Sequence, residues 1–359
     1  MVWEHSECRS GGIWAPEESV RVRKALTGDS QTRGQPENSS GMADVNGTCG
    51  KLKQWTDAIY VTAFSFIFLL GLVFNVLALV FFFRFTKIRS QTTIYMKNLA
   101  CSDLLLVVSL PIRIWYYMSR PQLPLRLCEV NGLIFLVNMY GSIFFLTCIS
   151  LDRCVAICFP MKSRLNELRN WATWISVGIW VLVIGASIPP YLVIPSKSNA
   201  SCHSCFDKDP TFVTNRMTVV PTLFIGYGIP LATILICSHA LLRGIRQSTA
   251  TRMDYVDWRK IRNMVLANVV IFIICFLPYH TVLLLYSVAP GKDSDSALPA
   301  AYRITITVAC FNAMLDPIVY YFATETFQKS VGMKALKNAL TSNTDSAEGN
   351  NRSMSPINA

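Results

Sequence analysis

The chain has 359 residues, of which 52% are hydrophobic and only 15% are charged, and its mean hydropathy is +0.37. Soluble domains carry about 25% charged residues, so this composition excludes a disordered protein and argues against a soluble enzyme. The net charge of +11 does not indicate nucleic-acid binding, because a basic excess in an apolar chain is typical of cytoplasmic loops that face anionic lipid.

The apolar segments predict an all-α bundle of seven transmembrane helices, since a bilayer is crossed by about 20 apolar helical residues. A polar tail over residues 1–54 precedes them. The predicted helices span residues 55–84, 92–118, 125–158, 170–193, 212–245, 257–288 and 298–322. The transmembrane domain is therefore 55–322. An amphipathic eighth helix is predicted over 323–337, and residues 338–359 are expected to form a disordered tail.

The basic residues of the loops predict the orientation of the chain. The loop after the first helix contains Arg84, Lys87 and Arg89 and no acidic residue, and the loops after the third and fifth helices also have a basic excess. The positive-inside rule places these loops in the cytoplasm, so the N-terminus is expected outside and the C-terminus inside. Three glycosylation sequons then lie on the outer face, at Asn38, Asn46 and Asn199.

The cysteines divide by compartment. Cys128 opens the third helix on the outer side, and Cys202 and Cys205 lie in the outer loop between the fourth and fifth helices. Because the outside is oxidising, one of the two loop cysteines is expected to form a disulfide with Cys128. The cysteines of the spans are expected to be small core residues, and no cysteine or histidine cluster indicates a metal site.

Few ionisable residues lie within the spans, and such residues indicate function because charge is costly in a membrane. Asp103 lies in the second helix and Asp316 in the seventh. Arg113 lies in the outer half of the second helix, and Asp152 and Arg153 lie at the inner end of the third. A transporter or channel, the alternative class, would need ionisable residues through both leaflets or broken helices.

Short motifs occur in order along the spans. They are Gly71-x-x-x-Asn75, Asn98 with Asp103, Cys128, Asp152-Arg153-Cys154, Trp180, Pro230, Cys275-Phe276-Leu277-Pro278 and Asp316-Pro317-x-x-Tyr320. This series resembles the rhodopsin-like (class A) G-protein-coupled receptors over residues 55–328. Leu110-Pro111-Ile112-Arg113-Ile114 and Phe276-Leu277-Pro278-Tyr279 resemble the purinergic-receptor-like branch, and within it the lysophosphatidic acid receptors and their orphan relatives.

The resemblance implies a plasma-membrane receptor, not an enzyme, that couples to a heterotrimeric G protein. It implies a switch formed by Asp152, Arg153 and Tyr320. It also implies an allosteric sodium ion, with no other cofactor, at four polar residues of the bundle centre: Asp103, Ser142, Asn312 and Asp316. A protonated Asp103 without sodium is the alternative. Phosphorylation of the C-terminal tail would favour arrestin as a further partner, and an ordinary disordered tail is the alternative.

The resemblance also directs attention to cations of the outer half. An arginine at membrane depth is satisfied by a phosphate or carboxylate, and Arg113 has this position; the alternatives are that it snorkels or pairs with Glu129. The expected ligand-binding residues are Arg113, Tyr117, Tyr140, Arg216, His280 and Arg303. Phe135 stands where amine receptors have an aspartate, which disfavours an amine. We therefore expect an anionic ligand, a lysophospholipid such as lysophosphatidic acid, with a small carboxylate or another lipid acid as the alternative.

The resemblance selects one of the two loop cysteines. Cys205 precedes Phe206, as the corresponding cysteine does in lysophosphatidic acid receptors, and this implies a Cys128–Cys205 disulfide. Cys202 is then expected to pair with the outer tail through Cys49, with Cys8 as the alternative partner.

Overall fold

The computed structural model describes residues 40–84, 91–159, 171–189, 205–206, 213, 215–249, 258–288 and 298–323. Within these ranges the chain forms a bundle of helices. Five are continuous: α1 Ser40–Arg84, α2 Gln91–Ser119, α3 Leu125–Cys158, α4 Ala172–Ile188 and α6 Trp258–Val288. α5 has three consecutive parts, Arg216–Pro221, Thr222–Gly228 and Ile229–Thr249. α7 has two, Leu298–Cys310 and Asn312–Ala323. The expected eighth helix and C-terminal tail fall outside the described residues beyond Ala323.

The start of α1 differs from the predicted boundary between tail and membrane domain. The helix begins at Ser40, whereas its apolar part begins at Trp55, which is the predicted start of the first helix. Residues 40–54 contain no proline, so nothing in this segment prevents the backbone hydrogen bonds of α1 from continuing into polar sequence. Loss of hydropathy marks the end of a membrane span but does not mark the end of a helix.

Six of the helices, all but α4, are long and apolar enough to cross a membrane. In lipid a backbone must satisfy its own hydrogen bonds, which is why such segments are helical. α4 is apolar but has 17 residues, a length of about 26 Å against a hydrocarbon core of about 30 Å. The fourth helix was predicted to reach residue 193, and residues 190–193 lie outside the described part.

α3 occupies the centre of the bundle and contacts α2, α4, α5, α6 and α7. In its most apolar window 72% of the residues are buried, against 33% for α1. A helix surrounded by helices can carry polar side chains on several faces, because each can find a partner on a neighbour. We call the end of the bundle that contains Cys128 the disulfide end, and the opposite end the Asp152–Arg153 end.

Two irregular helical segments position side chains of the bundle. The middle part of α5, Thr222–Gly228, is a π-helical turn. It ends two residues before Pro230, which has no N–H to complete an α-helical hydrogen bond. α7 breaks at Phe311, where the N–H groups of Phe311 and Met314 bond to carbonyls three residues earlier, at 3.2 and 3.0 Å. This tight turn lies immediately before Asn312.

Candidate functional site

The disulfide end of α3 is tied to the segment that precedes α5. Cys128 and Cys205 form a disulfide, with their Cα atoms 5.6 Å apart, and this is the pair that the resemblance implies. The disulfide holds the adjacent Phe206 against the bundle, where its ring contacts Tyr116 of α2 with ring centroids 5.1 Å apart. Phe206 therefore covers part of α2 at this end.

The tail disulfide and the sequons stay predictions. Cys202, Asn38 and Asn199 lie outside the described residues, and Cys49 and Asn46 lie in α1 with side chains outside the description. The helical backbone at Asn46 was not expected, because glycosylated sequons usually lie in surface loops.

Arg113 is a buried cation with neutral partners. Its side chain is on α2, the residue is 5% exposed, and its Nε donates a hydrogen bond to Oδ1 of Asn131 on α3 at 2.6 Å. The guanidinium carbon lies 4.6 Å from the ring centre of Phe206 and 5.8 Å from that of Phe135. These contacts support a positive charge through hydrogen bonding and cation–π attraction, and none of them neutralises it.

The proposed alternative partner of Arg113 is engaged elsewhere. Glu129 forms an ion pair with Arg126, with Nη1 and Oε2 3.1 Å apart, one helical turn away on the same helix. Arg113 takes part in none of the ion pairs among the described residues. With 5% exposure it also does not snorkel to the surface. A buried arginine without a carboxylate is costly, so this position is suited to an external anion.

Tyr117 follows Arg113 by one turn of α2 and faces α1. Its ring is 5.0 Å from that of Tyr60 and 6.2 Å from that of Phe64, and it meets Tyr116 edge to face at 5.3 Å. Tyr116 in turn contacts Phe206. The predicted ligand residue Tyr117 is thus connected to the Arg113 region through an aromatic cluster, and it forms part of the wall between α1 and α2.

Tyr140 and His280, two predicted ligand residues, are brought together by the fold. Their ring centroids are 6.0 Å apart, and the His280 ring stacks on Tyr227 of α5 at 4.1 Å. Nδ1 of His280 lies 2.7 Å from the Phe276 carbonyl, so Nδ1 carries the hydrogen and Nε2 is an acceptor. Nε2 is buried and has no hydrogen-bond partner among the described residues. This acceptor lies where α3, α5 and α6 meet.

A cavity of about 240 Å³ lies between α3, α4 and α5, and Tyr140 is one of its lining residues. Its walls are mainly apolar and include Leu136 and Val183. Leu182 and Ile225 also line it, and both are 54% exposed on the outside of the bundle, so the cavity opens between α4 and α5. Gly226 makes room for Tyr140: a Cβ there would lie 3.0 Å from the tyrosine ring. The cavity would accommodate an alkyl chain.

The other two cations among the predicted ligand-binding residues lie at the border of the disulfide end. Arg216, in the first turn of α5, is exposed, and its Nε donates to the carbonyl of Ser287 on α6 at 3.1 Å. Arg303 is half-buried on α7, where its carbonyl accepts a hydrogen bond from Thr307. Neither forms a hydrogen bond with Asn131, the partner of Arg113, among the described contacts. The structure therefore distinguishes a buried cation, Arg113, from cations that border the disulfide end.

Four predicted polar residues meet at the bundle centre. Oδ1 of Asp103 accepts hydrogen bonds from Ser142 at 3.4 Å and from Asn138 at 3.1 Å. Across from them, Asn312 donates to Oδ2 of Asp316 at 2.9 Å. The carboxyl groups of Asp103 and Asp316 are close enough for the charge of one to disfavour ionisation of the other, and both residues are fully buried.

This central cluster fits a monovalent cation. Two facing buried carboxyl groups cannot both remain ionised without a cation, and otherwise they share a proton. Oδ1 of Asp316 and Oδ1 of Asn312 are buried oxygens without a hydrogen-bond partner among the described residues. Hard cations bind such carboxylate and amide oxygens. The donor set is therefore compatible with the expected sodium ion, and Asn138 is a further polar residue of the cluster.

At the opposite end of α3, Asp152 and Arg153 are part of a polar network. Nη2 of Arg153 is 3.7 Å from Oδ2 of Asp152, and Thr92 of α2 hydrogen-bonds to both residues. Asp152 is buried and Arg153 is half-buried. The cation at this end thus has a carboxylate partner within the protein. Tyr320 lies in the second part of α7, and its side chain is outside the description.

Close to this network, α6 is hydrogen-bonded to α3. Nδ2 of Asn268 donates to Oγ of Ser150 at 2.6 Å and to the Leu146 carbonyl at 3.4 Å. Asn268 is 3% exposed. Because polar side chains in lipid strengthen helix–helix contacts, this pair attaches α6 to α3 two residues before Asp152.

Sequence reasoning did not assign roles to Asn131, Asn138, Thr92 and Asn268. Asn138 precedes Ser142 by one helical turn and therefore shares its face, which is a signal that could have identified it. Asn131 and Thr92 act across helices, and their pairing depends on helix register. A buried asparagine within an apolar helix, such as Asn268, is a general signal for an interhelical hydrogen bond.

Comparison with known proteins defines the class. The family description "7 transmembrane receptor (rhodopsin family)" matches residues 74–320, which is more than half of the chain. The chain therefore belongs to the rhodopsin family of seven-transmembrane receptors. Members of this family have seven membrane helices, so the shorter apolar helix α4 completes the set together with the six long ones.

Individual relatives narrow the comparison. The chain is 37% identical to human lysophosphatidic acid receptor 6 over 306 residues, which cover 82% of this chain and 89% of the relative. It is 35% identical to human lysophosphatidic acid receptor 4 over 317 residues, covering 84% and 85%. It is 31% identical to bovine G-protein coupled receptor 183 over 312 residues, covering 81% and 86%.

Proposed function

We propose that this protein is a plasma-membrane receptor for a lysophospholipid, with lysophosphatidic acid as the first candidate, and that it couples to a heterotrimeric G protein. The disulfide end faces the outside and the Asp152–Arg153 end faces the cytoplasm. The names of two relatives support the ligand class. The observation that carries the proposal is Arg113, a cation that is buried among neutral partners.

The proposed ligand has two parts, and the described residues offer an environment for each. A phosphate would pair with Arg113, because a guanidinium binds phosphate oxygens through two parallel hydrogen bonds. An alkyl chain would occupy the apolar cavity between α3, α4 and α5, gaining about 0.8 kcal/mol for each buried CH2 group relative to water. Entry between α4 and α5 would allow a chain to come from the bilayer.

Signalling would depend on the polar groups of α3. The Asp152 carboxylate pairs with Arg153, and the hydroxyl of Thr92 holds Arg153 near α2. Release of this pair, together with outward movement of the end of α6, would present Arg153 to a G protein. Pro278 interrupts the hydrogen bonding of α6 and provides a point where such movement can begin.

The central carboxyl pair would bias this equilibrium. A bound sodium ion would supply the positive charge that Asp103 and Asp316 require, and it would be held by Ser142, Asn312 and the two carboxylates. A cation that stabilises one packing of α2, α3 and α7 shifts the population toward that packing. We propose that the stabilised packing is the resting one.

The proposal is tested with a pair of lipids that differ only in the headgroup. Purified receptor in nanodiscs is combined with each of a panel of G proteins, and nucleotide exchange is measured with 1-oleoyl lysophosphatidic acid and with 1-oleoyl glycerol. We expect exchange with the phosphate lipid alone. Equal responses to both lipids would contradict a phosphate site, and no response to any lysophospholipid would contradict the ligand class.

A further inference from the structure

We propose that Asn131 is a positioning residue that prepares Arg113 for the terminal phosphate of the ligand, and that it restricts pairing to the end of the guanidinium group. This inference rests on the proposed function for the identity of the anion. Its geometric part, the control of Arg113 by a neutral amide, stands on the contacts between α2 and α3.

The orientation of the Asn131 amide is determined by two hydrogen bonds. Asn131 is 1% exposed. Its Nδ2 donates to the Ser109 carbonyl at 3.0 Å, so its Oδ1 faces α2 and accepts from Arg113 Nε at 2.6 Å. Rotating the amide by half a turn would place an NH2 group against a guanidinium and a carbonyl oxygen against a carbonyl oxygen. The amide can therefore only present its acceptor to Arg113.

This hydrogen bond determines which donors remain for a ligand. A guanidinium has five N–H groups, and Asn131 occupies the one on Nε. Among the described residues, no other side chain accepts a hydrogen bond from Arg113, and the rings of Phe206 and Phe135 lie near its guanidinium carbon. The donors that remain are on Nη1 and Nη2. An anion would therefore pair end-on with these two nitrogens.

The absence of charge on the Asn131 amide is essential for the availability of Arg113 to an anion. An amide oxygen satisfies a buried donor and leaves the positive charge of Arg113 available, whereas a carboxylate in the same place would neutralise it. The available charge favours a terminal phosphate monoester, which has several free oxygens. It disfavours a phosphodiester that carries choline, because the added cation would approach Arg113 with the same charge.

The experiment compares Asn131→Asp, Asn131→Leu and the control Ser176→Ala with the wild-type receptor. Ser176 is a buried residue of α4 that bonds to a carbonyl of its own helix, so its replacement tests the loss of a buried polar group elsewhere. The readouts are the potency of 1-oleoyl lysophosphatidic acid in nucleotide exchange and the melting temperature of each ligand-free receptor.

We expect the two Asn131 variants to differ in how they change ligand potency and melting temperature. Asn131→Asp should lower potency about 100-fold, since a carboxylate beside Arg113 competes with the ligand. Its melting temperature should exceed that of Asn131→Leu, because the counterion gained by the buried cation offsets the contact of the second carboxylate oxygen with the Ser109 carbonyl. Asn131→Leu should lower potency about tenfold, since Arg113 loses its orientation, and should also lower the melting temperature. Ser176→Ala should leave potency unchanged. A role in folding alone would give the more stable of the two Asn131 variants the higher potency.

The outcomes are distinguishable from failure of the proposed function. Wild-type potency in Asn131→Asp or in Asn131→Leu overturns the inference. If the wild-type receptor does not respond to lysophosphatidic acid, the proposed ligand fails, and the melting temperatures decide the inference alone. A higher melting temperature for Asn131→Asp than for Asn131→Leu supports control of Arg113 by Asn131, and the reverse order overturns it.

Discussion

Two arginines lie near opposite ends of the bundle and differ in their partners. Arg153 lies 3.7 Å from the carboxylate of Asp152 and shares Thr92 with it. Arg113 is buried more deeply, and among the described residues its hydrogen-bond partner is the neutral Asn131. Both are arginines within membrane helices, where an uncompensated charge is costly.

The difference indicates how each charge could be used. A cation with an internal carboxylate is stable without a ligand, and breaking that pair requires a change elsewhere in the bundle. A cation with neutral partners is stabilised when an anion arrives from outside. The first arrangement suits a conformational switch and the second suits a binding site, which is the division of roles that we propose for Arg153 and Arg113.

The largest expected effect is at Arg153. Arg153→Ala should reduce agonist-driven nucleotide exchange to the level without receptor, because it removes the cation that we propose contacts the G protein, while ligand binding and surface expression stay near wild type. Arg84→Ala is the matched control, since Arg84 is an exposed arginine in the last turn of α1 at the same end of the bundle. Agonist-driven exchange by Arg153→Ala would remove the distinction between the two arginines.

Arg113→Lys tests geometry separately from charge. Lysine retains the positive charge but has neither the Nε donor that meets Asn131 nor the fork that binds two phosphate oxygens. We expect the potency of 1-oleoyl lysophosphatidic acid to fall about tenfold, which corresponds to about 1.4 kcal/mol, with an unchanged maximal response. Wild-type potency would show that charge alone is sufficient at this position.

Asn268→Leu tests whether the resting state is held by the contact between α6 and α3. Interhelical hydrogen bonds in membranes contribute about 0.6–1.7 kcal/mol, so the loss of this contact should raise ligand-independent exchange about 3- to 18-fold. Ser150→Ala should raise basal exchange by no more than this, since it leaves the bond from Asn268 to the Leu146 carbonyl. The double variant should resemble Asn268→Leu, because that variant already lacks the bond to Ser150. Additive increases in basal exchange would refute a shared hydrogen bond as the cause.

A smaller effect is expected at the bundle centre. In wild-type receptor, replacing potassium by sodium should lower agonist affinity about fivefold, since the ion favours the resting packing. Asp103→Asn removes one of the two facing carboxylates and should abolish this difference. Agonist affinity is measured in both salts at equal ionic strength, and sodium sensitivity retained in the variant would argue against the ion site.

Hydropathy predicted where the apolar spans begin and end, but it did not predict helix ends that lie in polar sequence. α2 and α3 begin and end within about one residue of the predicted limits, because hydropathy and the loop prolines Pro121 and Pro124 coincide there. α1 extends to Ser40 because the polar residues before Trp55 do not interrupt a helix. Helix ends that lie in polar sequence need capping or packing information, which hydropathy does not contain.

The sequence predicted individual residues of the site, but it did not predict the contacts between them. Arg113 was identified because a charge in a span is unusual, and the Cys128–Cys205 disulfide was identified through resemblance. The pairing of Arg113 with Asn131 depends on the relative rotation of α2 and α3. The stacking of Tyr227 on His280 involves a residue of the π-helical turn of α5. Such register is set by packing between helices that are distant in sequence, so residue spacing cannot predict it.

The division of roles between Arg113 and Arg153 is tested most directly by measuring ligand binding without a G protein. Saturation binding of radiolabelled 1-oleoyl lysophosphatidic acid is measured on purified wild-type, Arg113→Ala and Arg153→Ala receptors in nanodiscs. We predict specific binding to the wild-type and Arg153→Ala receptors, and an affinity at least about 100-fold lower for Arg113→Ala, since the phosphate loses a buried charge-assisted pair worth about 3 kcal/mol. Equal affinity of Arg113→Ala and wild type, with both proteins folded, would contradict this division of roles.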